Sequence, residues 1–263
     1  MQQAATSQTA RTLDDPVAEA RRLVDLAAAR GATLRLLGGL AFHLRVPDWT
    51  ARVDRGRRDI DLATSSKDRR AVSDLLSAEG YLPDKQYNAL YGHKQLYFVD
   101  PAHDRPVDVI VDRLEMCHTF EFADRLAVDR YTLPLAELLL SKLQVVKVNR
   151  KDVLDALILL AEHPLTDDDG GINVRRIVAL TANDWGWWRT ATENLDKLAA
   201  FASSELRAEE LDCGRPHPFD PVAQARALRG AIDAAPKSVR WKLRAKLGER
   251  VPWYEEPEEV GHA

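Results

Sequence analysis

Apolar and polar positions change their period along this chain, and the changes mark its elements. From Pro16, the residues Val17, Ala20, Leu23, Val24 and Leu26 to Ala28 recur at helical spacing, with Asp14-Asp15-Pro16 as a start signal and Gly31 as a stop. Thr33 to Leu37 reads as a short strand running into Gly38-Gly39 and then a helix over Leu40 to Leu44. A polar loop, VPDWTARVDRGRR, follows and ends at Arg58. Next comes a strand over Arg57 to Leu62, then a helix capped by Ser65-Ser66 and stopped by Gly80. Lys94 to Val99 and Pro106 to Asp112 form the two arms of a hairpin.

Beyond Pro134 the period is helical almost throughout. Leu135, Leu138, Leu139 and Val146 make one apolar stripe, and Leu154, Leu157, Ile158 and Ala161 make the next. Ile172 to about Leu211 and Pro221 to Arg250 continue as helices. The pattern predicts an α+β protein: a small mixed sheet flanked by helices, followed by a helical C-terminal region. The expected divisions are a loose segment at 1–13, a core at 14–132, a helical domain at 133–253 and an acidic tail at 254–263.

Composition is that of an ordinary globular chain. Of 263 residues 45% are hydrophobic and 30% charged, and a net charge of -4 supplies no global basic field for nucleic acid. Contact with RNA therefore depends on a local patch. The two cysteines, Cys117 and Cys213, have no C-x-x-C or Cys/His spacing, which argues against a zinc or disulfide scaffold and for a reduced, cytoplasmic setting. No run reaches the roughly eighteen apolar residues of a membrane span, so no membrane partner is expected.

Candidate chemistry centres on Asp59 and Asp61. In an extended strand their side chains share one face, while Ile60 and Leu62 take the other. Two carboxylates roughly 6 to 7 Å apart on one face repel unless a cation sits between them. Magnesium, a hard cation that binds through one or two carboxylates plus substrate phosphates, is the natural choice. In the hairpin's second arm Val107, Val109 and Val111 share one face and Asp108 the other. Asp112, roughly 13 Å further along, reads as a turn residue and Asp108 as the candidate ligand.

Three further features bear on this pair. The turn Gly38-Gly39 at a helix start presents backbone N–H groups suited to phosphate oxygens. Lys142 falls inside an apolar stripe, four positions from Leu138 and Val146, so it must either extend to solvent or face an anion. Arg52, Arg55, Arg57 and Arg58 stand immediately before the Asp59 strand, ready for carboxylates or for a polyanionic substrate. Asp152 and Asp155 are explained by the dipole of the helix they begin. Trp185, Trp187 and Trp188 read as helix packing, and the basic residues Lys237 to Lys246 as a solvated face.

Taken in order, LLGGLAFHL, RRDIDLAT and VDVIV, supported by LPLAELLLSKLQVVKVNRKDVLDALILL, resemble the nucleotidyltransferase superfamily (polymerase-beta-like) over roughly residues 30 to 163. The nearest branch is that of the AbiEii-like nucleotidyltransferase toxins. Where many members carry glycine-serine, this chain has Gly39 and Leu40.

The resemblance implies a nucleotidyltransferase fold and transfer of a nucleoside monophosphate from an NTP to an acceptor hydroxyl, with Mg2+ (or Mn2+). Asp59, Asp61 and Asp108 would hold metal, Gly38 and Gly39 would cradle phosphates, and Lys142 would offset charge. The acceptor would be RNA such as a tRNA end, or a protein, and a toxin would have an antitoxin partner. An antibiotic-type enzyme acting on a small molecule and an inactive nucleotide-binding module are the alternatives.

Overall fold

A computed structural model describes residues 12–53, 56 and 59–256. The first helix, α1 (Pro16–Ala29), starts where the sequence indicates: Asp15 caps it by accepting from the Ala18 N–H, and proline opens its first turn. Strand β1 (Leu34–Leu36) leads to α2 (Gly38–Arg45), a helix that already includes both glycines. The expected polar loop contains a short helix, α3 (Pro47–Thr50), because Trp49 is fully buried and its indole N–H donates to the Glu210 carbonyl. Strand β2 (Ile60–Thr64) begins after Asp59, and Arg57 and Arg58, the expected start of the strand, lie outside the described residues.

The helix expected from Ser65 starts later, as α4 (Arg69–Ala78). Ser65 and Ser66 are occupied first: the Ser65 hydroxyl accepts from the Asp68 N–H, and the Ser66 N–H donates to Asp112. Asp112 has φ of +62°, in keeping with its turn role. Strand β3 (Leu82–Pro83) and α5 (Lys85–Tyr91) precede the hairpin of β4 (Gln95–Asp100) and β5 (Arg105–Val111). A second small ribbon, β6 (Arg113–Glu115) with β7 (Thr119–Glu121), follows.

The main sheet has the order β1-β2-β5-β4-β3 and is mixed. β2 and β5 run parallel, while the pairs β1·β2, β5·β4 and β4·β3 are antiparallel. Alternation decides its faces: Val107, Val109 and Val111 are buried on one side, with Ile60, Leu62 and Phe98. The other side carries Asp61, Gln95, Tyr97 and Asp108.

Helices make up most of the C-terminal half: α6 (Leu135–Leu143), α7 (Arg150–Glu162), α8 (Val174–Asn183), α9 (Trp185–Ser204), α10 (Pro221–Ala234) and α11 (Val239–Ala245). α6 is buried on nearly every face, and one hydrophobic core runs from the sheet through α6 and α7 to α10. The fold class is therefore the expected one, α+β with a small mixed sheet flanked by helices and a helical C-terminal region. Among the described residues no helix is long and apolar enough to cross a membrane.

The ends of the described chain are tied in. Buried Thr12 donates to Asp100, and Arg105 donates to the carbonyl of Leu13, although both residues fall in the segment read as loose. At the other end the Glu255 N–H donates to the Cys117 carbonyl and Glu256 pairs with Lys147.

Candidate functional site

The register of two parallel strands puts Asp61 directly opposite Asp108. Tyr97 of β4 is in turn opposite Asp108, so Asp61, Asp108 and Tyr97 form one row across three strands on the polar face. Gln95, two residues earlier on β4, donates its amide N–H to Oδ1 of Asp108. Asp59 lies just before β2, exposed, and its charge acts on both Asp61 and Tyr97.

Gly38 closes the other side of Asp61. A Cβ on Gly38 would fall 1.9 Å from Oδ2 of Asp61, and φ at Gly38 is +61°, so glycine is required for room and for conformation. The adjacent Gly39 N–H donates to the Asp61 carboxylate. In this structure the glycine turn thus addresses Asp61 itself.

The Asp61 carboxyl is pushed up to about 7, first by burial and then by the Asp108 and Asp59 charges. Lys142 and the Gly39 N–H pull it the other way without compensating. Such a carboxylate lacks sufficient positive charge, which is the electrostatic condition a bound dication relieves. The donors are carboxylate oxygens, the hard type that magnesium and manganese take. They stand apart, however. Among the described residues the only His, Cys, Asp and Glu group whose ligand atoms all lie within 4.8 Å of one another is Glu162, Cys213 and His217, so Asp59, Asp61 and Asp108 are more widely spread.

Lys142 does not extend freely to solvent. Its ammonium lies 2.8 Å from Asp152 and 3.1 Å from Asp155 of α7, and 5.7 Å from the ring centroid of Phe42. Burial pulls its pKa down, but Asp155 and Asp152 outweigh burial and hold the lysine firmly charged. The two aspartates read as dipole partners are thus the anion that Lys142 requires.

A cleft of about 800 Å³ opens beside the row, lined by Asp61, Asp108, Tyr87, Tyr91, Gln95 and Arg113 among others. Its size suits a small-molecule ligand. Tyr87 and Tyr91, one helical turn apart on α5, pack with ring centroids 5.0 Å apart, and Tyr87 meets Tyr97 edge-on. Burial first, and then Asp108, raises the pKa of the Tyr87 and Tyr97 hydroxyls. Sequence reasoning missed these tyrosines. The available signal was Asp84, which caps α5 by accepting from the Tyr87 N–H, with aromatic residues at i and i+4 after it.

Comparison with known proteins finds no matching family model and no matching curated protein. Among solved structures the chain is similar to a STING-associated CdnE c-di-GMP synthase from Capnocytophaga granulosa, with 16% identity and a TM-score of 0.29 over 88% of this chain and 82% of that one. A likeness that loose assigns nothing to this chain.

Of the arginines before Asp59, Arg52 pairs with Asp212 at 3.2 Å, and Arg55, Arg57 and Arg58 lie outside the described residues. The tryptophans of α9 pack as helix partners: Trp187 is buried with its N–H on the Thr119 carbonyl, and Trp188 meets Trp241 edge-on.

Proposed function

We propose that this chain is a metal-dependent nucleotidyltransferase that moves a nucleoside monophosphate from an NTP to an acceptor hydroxyl. The observation carrying the reading is the pairing of Asp61 with Asp108 across parallel strands, seated on the Gly38 turn. The LLGGLAFHL, RRDIDLAT and VDVIV resemblance supports it.

In this reading Asp61 and Asp108, with Asp59 at the open end, hold Mg2+ or Mn2+ through carboxylate oxygens. When bound, such ions would supply charge neutralisation at the phosphates. Asp108, steadied by Gln95, accepts the proton of the acceptor hydroxyl at its carboxylate. Lys142, fixed by Asp152 and Asp155, sets its positive charge where it acts on Asp61. Gly38 excludes any side chain from the Asp61 oxygens. Tyr87 and Tyr91 offer aromatic faces to the nucleotide base.

The acceptor remains the finer proposal: an RNA end or a protein, in a toxin of the AbiEii-like kind held by an antitoxin. The test is incubation with each labelled NTP, Mg2+ and total cellular RNA, protein and small molecules. Label should enter one fraction, and Asp61→Asn or Asp108→Asn should abolish it with the circular dichroism spectrum unchanged. Labelling that survives both substitutions overturns the site; label in the small-molecule fraction alone overturns the macromolecular acceptor.

A further inference from the structure

Away from the sheet, the last residue of α7 meets the loop that precedes α10. Glu162, Cys213 and His217 bring a carboxylate oxygen, a sulfur and a ring nitrogen within 4.8 Å of one another. Tetrahedral zinc bonds of about 2.0 to 2.3 Å place ligand atoms about 3.5 Å apart, so small side-chain movements would close the group on an ion. Thiolate and imidazole donors favour a zinc-class ion over magnesium.

The carboxylate is held at both oxygens, with a longer Arg215 bond of 3.4 Å to Oε1. His217 Nδ1–H donates to Oε1 at 2.6 Å, while Arg215 donates to Oε2 at 2.5 Å. Oε1 can therefore turn to a metal while Arg215 keeps hold of Oε2, the supporting hydrogen bond that orients a ligating carboxylate. Cys213 is buried and its thiol donates to Glu162. A cavity of about 230 Å³, lined by Val46, Pro47, Asp48, Trp49, Cys213 and Arg215 among others, leaves room for a fourth ligand.

We propose that Glu162, Cys213 and His217 form a structural site for a zinc-class dication, tetrahedral with water as the fourth ligand, separate from the Asp61 carboxylates. On binding, the Cys213 proton leaves to solvent and the His217 proton shifts from Nδ1 to Nε2, so one proton is released per ion. Because the thiol must give up its proton to bind, binding weakens as pH falls. The ion would pin the 211–217 segment against α3 and Arg52. Arg215 reaches Asp48, Asp212 reaches Arg52, and a Cβ on Gly214 would meet the Arg52 guanidinium at 2.4 Å.

The test uses the full chain, stripped of metal by chelation and kept reduced without thiols, titrated with Co2+ and then Zn2+. One Co2+ should bind with a near-ultraviolet sulfur-to-cobalt charge-transfer band and one proton released, and Zn2+ should displace it while Mg2+ does not. Cys213→Ser should lose the band. His217→Gln, on a partly exposed side chain, should weaken binding by more than the roughly 10- to 100-fold expected for loss of a supporting hydrogen bond. No Co2+ binding at micromolar concentration, a band that survives Cys213→Ser, or unchanged affinity in His217→Gln each overturns the site. Asp61→Asn should leave the band unchanged, so this result stands apart from the fate of the transferase reading.

Discussion

Gly38 and Asp61 touch so closely that a Cβ on the glycine would lie 2.6 Å from the carboxylate carbon and 2.9 Å from the Asp61 Cβ. The glycine turn is therefore the seat of the carboxylate, and the phosphate-binding role expected of it depends on the same geometry. Gly39 adds a backbone N–H to that carboxylate.

Gly38→Ala should consequently fail twice. The left-handed conformation costs a residue with a Cβ roughly 1 to 2 kcal/mol, and the methyl group must also displace Asp61. We expect a stability loss of about 2 kcal/mol in urea unfolding, together with loss of Mg2+-dependent transfer. Transfer and stability equal to those of the unsubstituted chain would show that the close approach does not matter.

Asp61 also sets a pH dependence. Its folded-state pKa of about 7 lies above the ordinary carboxyl value of 3.8, so between these values the folded chain binds more protons than the unfolded one. Stability then falls as pH rises through this window, by a few kcal/mol at most. Without divalent metal, denaturant midpoints should drop from pH 4 to pH 7 more steeply in the unsubstituted chain than in Asp61→Asn. Mg2+ binds the ionised form, so its affinity should rise over the same range and offset the loss. A parallel pH profile in Asp61→Asn would sink the assignment.

Much of this site was legible because strand alternation is a local rule. The side chains of Val107, Val109 and Val111 had to face the core, which placed Asp108 on the other side, and the observed burial alternates accordingly. Lys142 was legible as a problem, since a cation inside an apolar stripe needs an anion. Its solution was hidden: Asp152 and Asp155 come from the next helix, and only the packing of α6 on α7 reveals them. Trp49 was hidden for the same reason, being a lone aromatic in a polar stretch whose burial depends on Glu210, 161 residues away. Cys213 and His217 stand four residues apart in one loop, but Glu162, at the end of α7, joins them only through tertiary packing.

Lys142→Met separates structure from charge. Breaking a buried ion pair from one side costs about 3 kcal/mol, because Asp152 and Asp155 lose their partner. Adding Asp155→Asn should recover part of that stability by removing one stranded charge. If Lys142 also serves nucleotide, calorimetry on the double variant should still show weakened NTP binding despite the recovered stability. Full recovery of affinity along with stability would make Lys142 a packing residue alone.

Tyr91 offers the most direct view of the cleft. It is 40% exposed, stands on α5 beside Tyr87, and lines the same space as Asp61 and Asp108. Stacking of a base on an aromatic face contributes roughly 1 to 3 kcal/mol, so Tyr91→Ala should raise the KM for NTP about tenfold. Stacking holds substrate and transition state alike, and kcat should therefore change little. Tyr91→Phe keeps the face and should keep the KM. Steady-state kinetics with both variants distinguishes the possibilities: an unchanged KM in Tyr91→Ala would remove the base from this wall of the cleft, and a raised KM in Tyr91→Phe would transfer the effect from the ring to the hydroxyl.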